Sequence, residues 1–546
     1  MTPHHRHLPP GIGAALGRLL WPLVAGIVLG LLAALWLRLR GLRWTWASLV
    51  APAGLLAWLV QWRAGLALWI AGALALYAGA YAHREALERG GEEAHRSRDA
   101  IGPLGLLRAN LSELRAGRRR LDRGGFALGR TRRGTVCRVP LGSPGNGVHA
   151  LILGATGAGK TVTTAALLEA HIAAGQGAIV LDPKGDEALS RTLADAAAAA
   201  GARLFTWSPH GPAVYNPIAR GNPTEIADKC LAAHVWTEPH YRTATQRLLG
   251  HALATMRAAG LWPPTLSTLV AHMEPERLDA LASTVDGPLA ERTHDYVDGL
   301  DSRRTAELGG GRDRLAVLVE SELGPRLDPA LGEEEGEEID LAACLDQGAV
   351  AHLRLDADRY PEASRLLAAA LVIDLAALAA ERQGGPAAAA VAIDEFGALA
   401  ADHVSRLFAR ARGAGISLLL GTQSLADLRA ARPEDASDTL TEQVLSNVSY
   451  TVAHRIADPD SAERLARIAG TEPAWTVTEK VGGGLLAGSR REGTRTRQRD
   501  FVVGPDEFKR LGTGEAIVID PKASRRAEIV HVWTARPVVP AEGGLR

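Results

Sequence analysis

Eight consecutive residues, Gly154-Ala155-Thr156-Gly157-Ala158-Gly159-Lys160-Thr161, constrain this chain more than any other feature. They match the pattern G-x-x-x-x-G-K-[ST] and stand between the apolar run HALIL and a helical pattern over 160–174. The glycines let the backbone wrap so that successive N–H groups point inward at phosphate oxygens, and a helix N-terminus adds a favourable dipole. In such a loop Lys160 sits on the β- and γ-phosphates and the Thr161 hydroxyl ligates Mg2+. Only six of the 61 basic residues are Lys, so a Lys here fits a site that needs a compact point charge. The flanking strand and helix patterns exclude a chance glycine-rich turn.

From residue 126 short apolar runs alternate with longer helical patterns, the mark of a parallel α/β sheet. Strands are predicted at 148–153, 178–181, 203–207, 349–355, 389–393, 416–420 and 516–519, with helices such as 160–174 and 187–200 between them. Between about 222 and 345 the strand signal vanishes and the sequence is helical (225–233, 241–259, 266–273), an all-α insertion. The insertion ends in the acidic run 333–338, a solvated loop rather than a chelating site. The fold class is therefore α/β, a RecA-like P-loop NTPase domain. Its first part spans 126–221, the insertion 222–345 and the second part 346–546.

The strand over 389–393 runs into Asp394-Glu395. Asp394 is placed to hold Mg2+ through water, and Glu395 to orient and polarise the attacking water. The strand over 416–420 ends at Gly421-Thr422-Gln423, which puts Gln423 at the carboxyl edge of the same sheet, within reach of the γ-phosphate or that water. Arg412 is a candidate to reach the γ-phosphate of a neighbouring subunit, with Arg406 and Arg410 as competitors. No ABC-type signature accompanies the site, against a small-solute pump.

Residues 19–37 carry no charge and are long enough to cross a bilayer of about 30 Å. Further apolar stretches cover 44–61 and 64–82, and seven of the 12 tryptophans fall in the first 70 residues, as at a membrane interface. With more apolar sequence next and no cleavage site, the first stretch is not a signal peptide. Arg38, Arg40 and Arg43 follow it, and His83, Arg84 and Arg89 follow the third; both clusters prefer the cytoplasm. Three spans satisfy this better than two, and either count leaves everything after residue 83 cytoplasmic. Residues 1–83 thus form a transmembrane region, and 84–125 a basic juxtamembrane linker. Nine arginines lie between Arg108 and Arg133, a solvated face or an attraction to anionic lipid or DNA. A formal net charge of zero confines any nucleic-acid surface to local patches such as this one or the arginines at 490, 491, 495, 497 and 499, expected in a loop. Three distant cysteines form no disulfide framework and indicate a reduced compartment.

With these residues in place, the chain resembles the type IV coupling protein family, the TraD/TraG/VirD4-like membrane ATPases of conjugation, within the FtsK/HerA group of hexameric motors. The likeness covers about residues 126 to 535. It rests on Gly154–Thr161, Leu181-Asp182-Pro183-Lys184-Gly185-Asp186, Tyr215-Asn216-Pro217, Ile393-Asp394-Glu395-Phe396, Arg412 to Gln423-Ser424, Asn447 to Arg455 with Asp458, and Gly514-Glu515-Ala516-Ile517-Val518. The resemblance implies an ATPase using ATP and Mg2+, anchored in the inner membrane as a homo-hexamer. Its partners would be DNA, with a relaxase, and secretion-channel components. It also puts Asp182 and Lys184 near the nucleotide: Asp182 could accept hydrogen bonds around the metal or Lys160, while Lys184 adds charge. Two departures stand out. The family usually has two spans with an external loop, and here the sequence stops soon after the ATPase region. A chromosomal motor of the FtsK/HerA type, a protein-secretion ATPase, and a membrane receptor using ATP as a switch are the competing readings.

Overall fold

The structure is a computed structural model. It describes residues 12–40, 43–89, 103–104, 107, 111, 120–122, 125–232, 236, 238–332, 336–396, 407–430, 439–480, 492–523 and 526–534. The N-terminal region holds α1 (Ile12–Leu39), a 3-10 segment (Trp44–Leu49) that runs into α2 (Val50–Val60), and α3 (Trp62–Arg89). Among these only Leu20–Arg38 and Trp62–Glu85 are long and apolar enough on their own to cross a membrane. Glycines set the packing. A Cβ at Gly26 would lie 2.8 Å from the Ala67 carbonyl oxygen, and one at Gly30 would lie 2.8 Å from that of Ala71. Ascending numbers on both helices mean that α1 and α3 run parallel. Gly54 abuts Trp69, Gly72 abuts Val50 and Gly79 abuts Trp44, so the segment between them runs antiparallel to α3.

Among the described residues fourteen strands follow: β1 (Leu121–Asp122), β2 (Gly125–Thr131), β3 (Val136–Val139), β4 (Ala150–Leu153), β5 (Gly177–Asp182), β6 (Leu204–Trp207), β7 (Val350–Arg354), β8 (Ala389–Ile393), β9 (Ile416–Thr422), β10 (Tyr450–Ala453), β11 (Thr471–Lys480), β12 (Glu492–Phe501), β13 (Glu515–Ile519) and β14 (Ala527–Val532). The main sheet has the order β1-β2-β14-β13-β10-β4-β9-β8-β5-β7-β6, with β3 on β2. From β10 to β6 all neighbours are parallel. β13, β14 and β2 extend the sheet antiparallel. The α/β expectation holds, with one flank of the sheet added: β1, β2, β3, β10 and β14 were not foreseen. The arginine-rich stretch expected as a loop is in part β12, paired with β11, while 481–491 lie outside the described residues.

Both faces of the sheet are covered, as a parallel sheet requires. Ala150, Ile152, Ala178 and Val180 face Leu167 and Leu168 of α4 (Lys160–Ala173) and Leu189 and Leu193 of α5 (Glu187–Ala200). The alternate residues Leu151, Leu153, Ile179 and Leu181 face the opposite core. There they meet the helices between β6 and β7, among them α6 (Pro223–Ala232), α7 (Pro239–Ala258), α8 (Leu266–His272), α9 (Pro275–Ala282), α10 (Pro288–Asp298), α11 (Ser302–Glu320) and α12 (Leu341–Gln347). α13 (Pro361–Glu381) is apolar enough to span a membrane, yet 72% of its apolar window is buried against this core, which is why its pattern is hydrophobic all round. It also carries Asp374, fully enclosed, whose carboxylate accepts from the Lys229 ammonium of α6 and from the Tyr215 hydroxyl at 3.0 Å. That buried triad pins the helical layer to the sheet.

Of the nine arginines between 108 and 133, those at 108, 115, 118, 119 and 123 lie outside the described residues. Arg120 is not a solvated charge: it is buried and lies over the Phe126 and Trp533 rings at 5.4 and 5.5 Å. Arg132 pairs with Glu515 at 3.4 Å.

Candidate nucleotide site

β4 is buried at every position and lies between β10 and β9. The chain after Leu153 therefore emerges at the carboxyl edge of the parallel strands, where open α/β sheets bind ligands. Gly154, Gly157 and Gly159 hold φ of 156°, 73° and 118°, conformations that other residues resist. The loop is tied at both flanks: Gly154 N–H donates to the Thr422 carbonyl at 3.3 Å and Ala155 N–H to the Arg455 carbonyl at 2.9 Å. Thr156 and Gly157 are exposed and Ala158 is buried. α4 starts at Lys160 behind a left-handed Gly159 with no side-chain cap among the described residues, which leaves its first N–H groups to a ligand. Thr161 follows, partly exposed, in the first turn.

Lys160 Nζ is buried and has no hydrogen-bond partner among the described residues. An enclosed ammonium without acceptors is costly, on the order of several kcal/mol. It asks for an anion, and the glycine cradle supplies room for one.

β8 delivers the acids. Asp394 Oδ1 accepts the Glu395 N–H at 3.1 Å. It presses against β9 at Gly421, where a Cβ would collide with it. Burial raises the Asp394 carboxyl, with the Lys160 charge opposing. Glu395 adopts a left-handed φ of 49°, uncommon for a side-chain-bearing residue and a mark of local strain. Its Oε1 accepts Gln423 Nε2 at 3.0 Å and Lys184 Nζ at 3.0 Å, and lies 3.6 Å from Lys160 Nζ. Burial alone would push this carboxyl up. The Gln423 and Lys184 hydrogen bonds and the two lysine charges outweigh it and hold Glu395 below its ordinary value, hence ionised.

The structure thus gathers Gly154–Thr161, Asp394, Glu395 and Gln423 at one edge. Asp182 does not bond Lys160, one of its two expected partners. Its Oδ1 accepts the Lys184 and Gly185 N–H groups, each at 3.0 Å, and its Oδ2 accepts Asp186 N–H at 2.6 Å. A carboxylate at this strand end is turned back on its own loop. Lys184 meets Glu395 rather than the cradle. Arg412 precedes β9 and so lies at the amino edge of the parallel strands, donating to the Asn447 carbonyl at 2.9 Å. It is remote from the glycine loop. Arg406 lies outside the described residues, and Arg410 is exposed.

One residue escaped sequence reasoning. His454 follows β10 beneath the loop, where its Nδ1 donates to the Glu515 carbonyl at 3.0 Å and its Nε2 accepts from the Thr163 hydroxyl at 2.8 Å. A Cβ at Gly159 would lie 3.1 Å from its ring. The only signal for it was its place in the segment from Asn447 to Arg455.

A glycine-lined phosphate cradle, an orphan lysine and two strand-end acids on a RecA-like sheet define a P-loop ATPase. The family model described as the central domain of helicase HerA matches residues 126–283, and that described as the TraM recognition site of TraD and TraG matches 389–513. Over these residues the chain is similar to the two families that the models describe. Two solved structures share the fold. The plasmid coupling protein TrwB in complex with ADP and Mg2+ is 17% identical with a TM-score of 0.51. The unbound monoclinic form of the conjugative coupling protein TrwBdeltaN70 is 17% identical with a TM-score of 0.50. Each match covers 71% of this chain and 85% of the other. No curated protein sequence matches the chain.

Proposed function

We propose that this protein is a membrane-anchored DNA translocase that couples a nucleoprotein substrate to a secretion channel by hydrolysing ATP. The observation that carries the ATP-driven part is the buried Lys160 ammonium, which makes no hydrogen bond among the described residues and lies 3.6 Å from an ionised Glu395. The substrate is MgATP, with the phosphates in the Gly154–Gly159 cradle and the metal held by Thr161 and, through water, Asp394. Mg2+ bound there neutralises charge on the β- and γ-phosphates. Glu395 orients the attacking water and draws its proton, Gln423 fixes the Glu395 carboxylate, and Lys160 stabilises charge developing on the transferred phosphoryl group. A homo-hexamer would set Arg412 of one subunit against the nucleotide of the next. The complex of TrwB with ADP and Mg2+, a protein whose fold this chain shares, supports the choice of substrate.

Membrane anchoring is supported by the packing of the N-terminal helices. With α1 and α3 parallel, Arg38, Arg40 and Arg43 lie at the same end as His83 and Arg84, the arrangement that favours a common cytoplasmic side. The segment between them, six residues of 3-10 and 11 of α-helix, reaches about 28 Å, close to the hydrocarbon thickness. Three spans follow.

The test is ATP turnover by the detergent-solubilised chain with and without DNA. Lys160→Ala should abolish turnover, and Glu395→Gln should keep MgATP bound while losing hydrolysis. DNA should stimulate the wild type regardless of sequence, less so as salt rises. Turnover indifferent to DNA, or wild-type turnover in Glu395→Gln, would refute the proposal.

A further inference from the structure

Lys160 and Glu395 are opposite charges in one cleft, and each is wanted elsewhere: the lysine on phosphate, the carboxylate on water. A lysine and a carboxylate 3.6 Å apart in a half-buried site attract strongly. Closed into a direct pair, they would compete with the nucleotide for Lys160. The two are within ion-pair distance but not hydrogen-bonded. Lys160 Nζ makes no hydrogen bond among the described residues, while Glu395 Oε1 is taken by Lys184 and Gln423 at 3.0 Å each.

We propose that Lys184 is a positioning residue that holds Glu395 away from Lys160 and so keeps the P-loop lysine free for phosphate. The inference rests on the ATPase reading above and assigns Lys184 a carboxylate rather than a phosphate as its partner. The backbone aims it. β5 and β8 are parallel neighbours with Leu181 opposite Ile393, so the loops that leave them start side by side. Asp182 gathers the N–H groups of Lys184, Gly185 and Asp186, and Gly185 takes the left-handed φ of 69° that this turn needs. Asp182 is itself braced by His352, whose Nε2 lies 3.5 Å from Oδ2. The Lys184 side chain is 52% exposed, so it can hold or release Glu395 without being desolvated, which a buried cation could not do. A chain with six lysines places two of them on one glutamate, and only the exposed one bonds it.

Titration of a fluorescent MgATP analogue against the full chain in detergent, with variants arranged as a double-mutant cycle, tests this. Lys184→Met should weaken binding by about tenfold, because Glu395 then captures Lys160. Lys184→Arg should bind like the wild type. In the Glu395→Gln background, Lys184→Met should cost nothing, since no carboxylate is left to capture the lysine. An equal loss in both backgrounds would mean that Lys184 touches phosphate directly, and it would overturn the proposal, as would unchanged binding by Lys184→Met alone. No binding by the wild type would instead remove the ATPase reading beneath it.

Discussion

Gly421 decides where Asp394 sits. Its missing side chain lets the carboxylate rest against β9, one residue before Thr422, whose carbonyl anchors Gly154. Gly421→Ala would force the carboxylate outward by roughly the width of a methyl group. Displacements of that size at a reacting centre cost about a hundredfold in rate. Mg2+-dependent turnover should fall by that order while the circular dichroism spectrum is unchanged; turnover within twofold of wild type would remove Asp394 from the metal's surroundings. The glycine loop and the two acids could be located from sequence because each is a local pattern: a run of left-handed glycines, or an apolar strand ending in charge. Gly421, His454 and the partner of Lys184 could not. Their roles arise only once β5, β8, β9 and β10 are set beside one another, and strand order is not written in any one segment.

The elements differ in the same way. β4, β5, β8 and β9 are continuous apolar runs because both their faces are covered, so composition alone marks them. β2 mixes Gly and Arg with its apolar residues, and β10 is four residues long with Thr451 inside it, so neither stands out from loop. α1 and α3 show what an apolar pattern omits. Hydropathy locates both helices but not their mutual register, which is set by Gly26 and Gly30 against Ala67 and Ala71. Small residues four apart let helix backbones approach in lipid, where packing rather than hydrophobicity drives association. Gly26→Leu with Gly30→Leu should separate the pair. A cysteine pair engineered across the contact should cross-link efficiently in the parent and poorly in the double variant. Equal cross-linking would mean that another surface holds α1.

At the scale of the molecule, three histidines are buried and neutral: His149 just before β4, His171 in the last turn of α4 and His454 just after β10. His149 accepts the Leu418 N–H on Nδ1 at 3.2 Å, His171 bonds Gln176 at 2.6 Å, and His454 links Thr163 to Glu515. Burial drives each well down, to about 4, with the Arg412 charge adding to it at His149. At His171 the Gln176 bond opposes burial; at His454 the Glu515 carbonyl opposes it and Lys160 reinforces it. The unfolded chain protonates its histidines near 6.5 whereas the folded chain resists until about 4, so the unfolded state binds more protons between these values. Stability is therefore fully present above pH 6.5 and is lost as pH falls towards 4, by on the order of 3 kcal/mol per histidine at the acid end. The three are spread from the amino edge of β4 to the loop beneath the nucleotide, so acid loosens the sheet as a unit rather than at one corner. The urea midpoint of the solubilised chain should fall steeply from pH 7 to pH 5, and His171→Gln should flatten that slope by removing one of the three titrations. A midpoint level across this range would mean that the folded chain takes up these protons as readily as the unfolded one, contrary to the acceptor role that Leu418 imposes on His149.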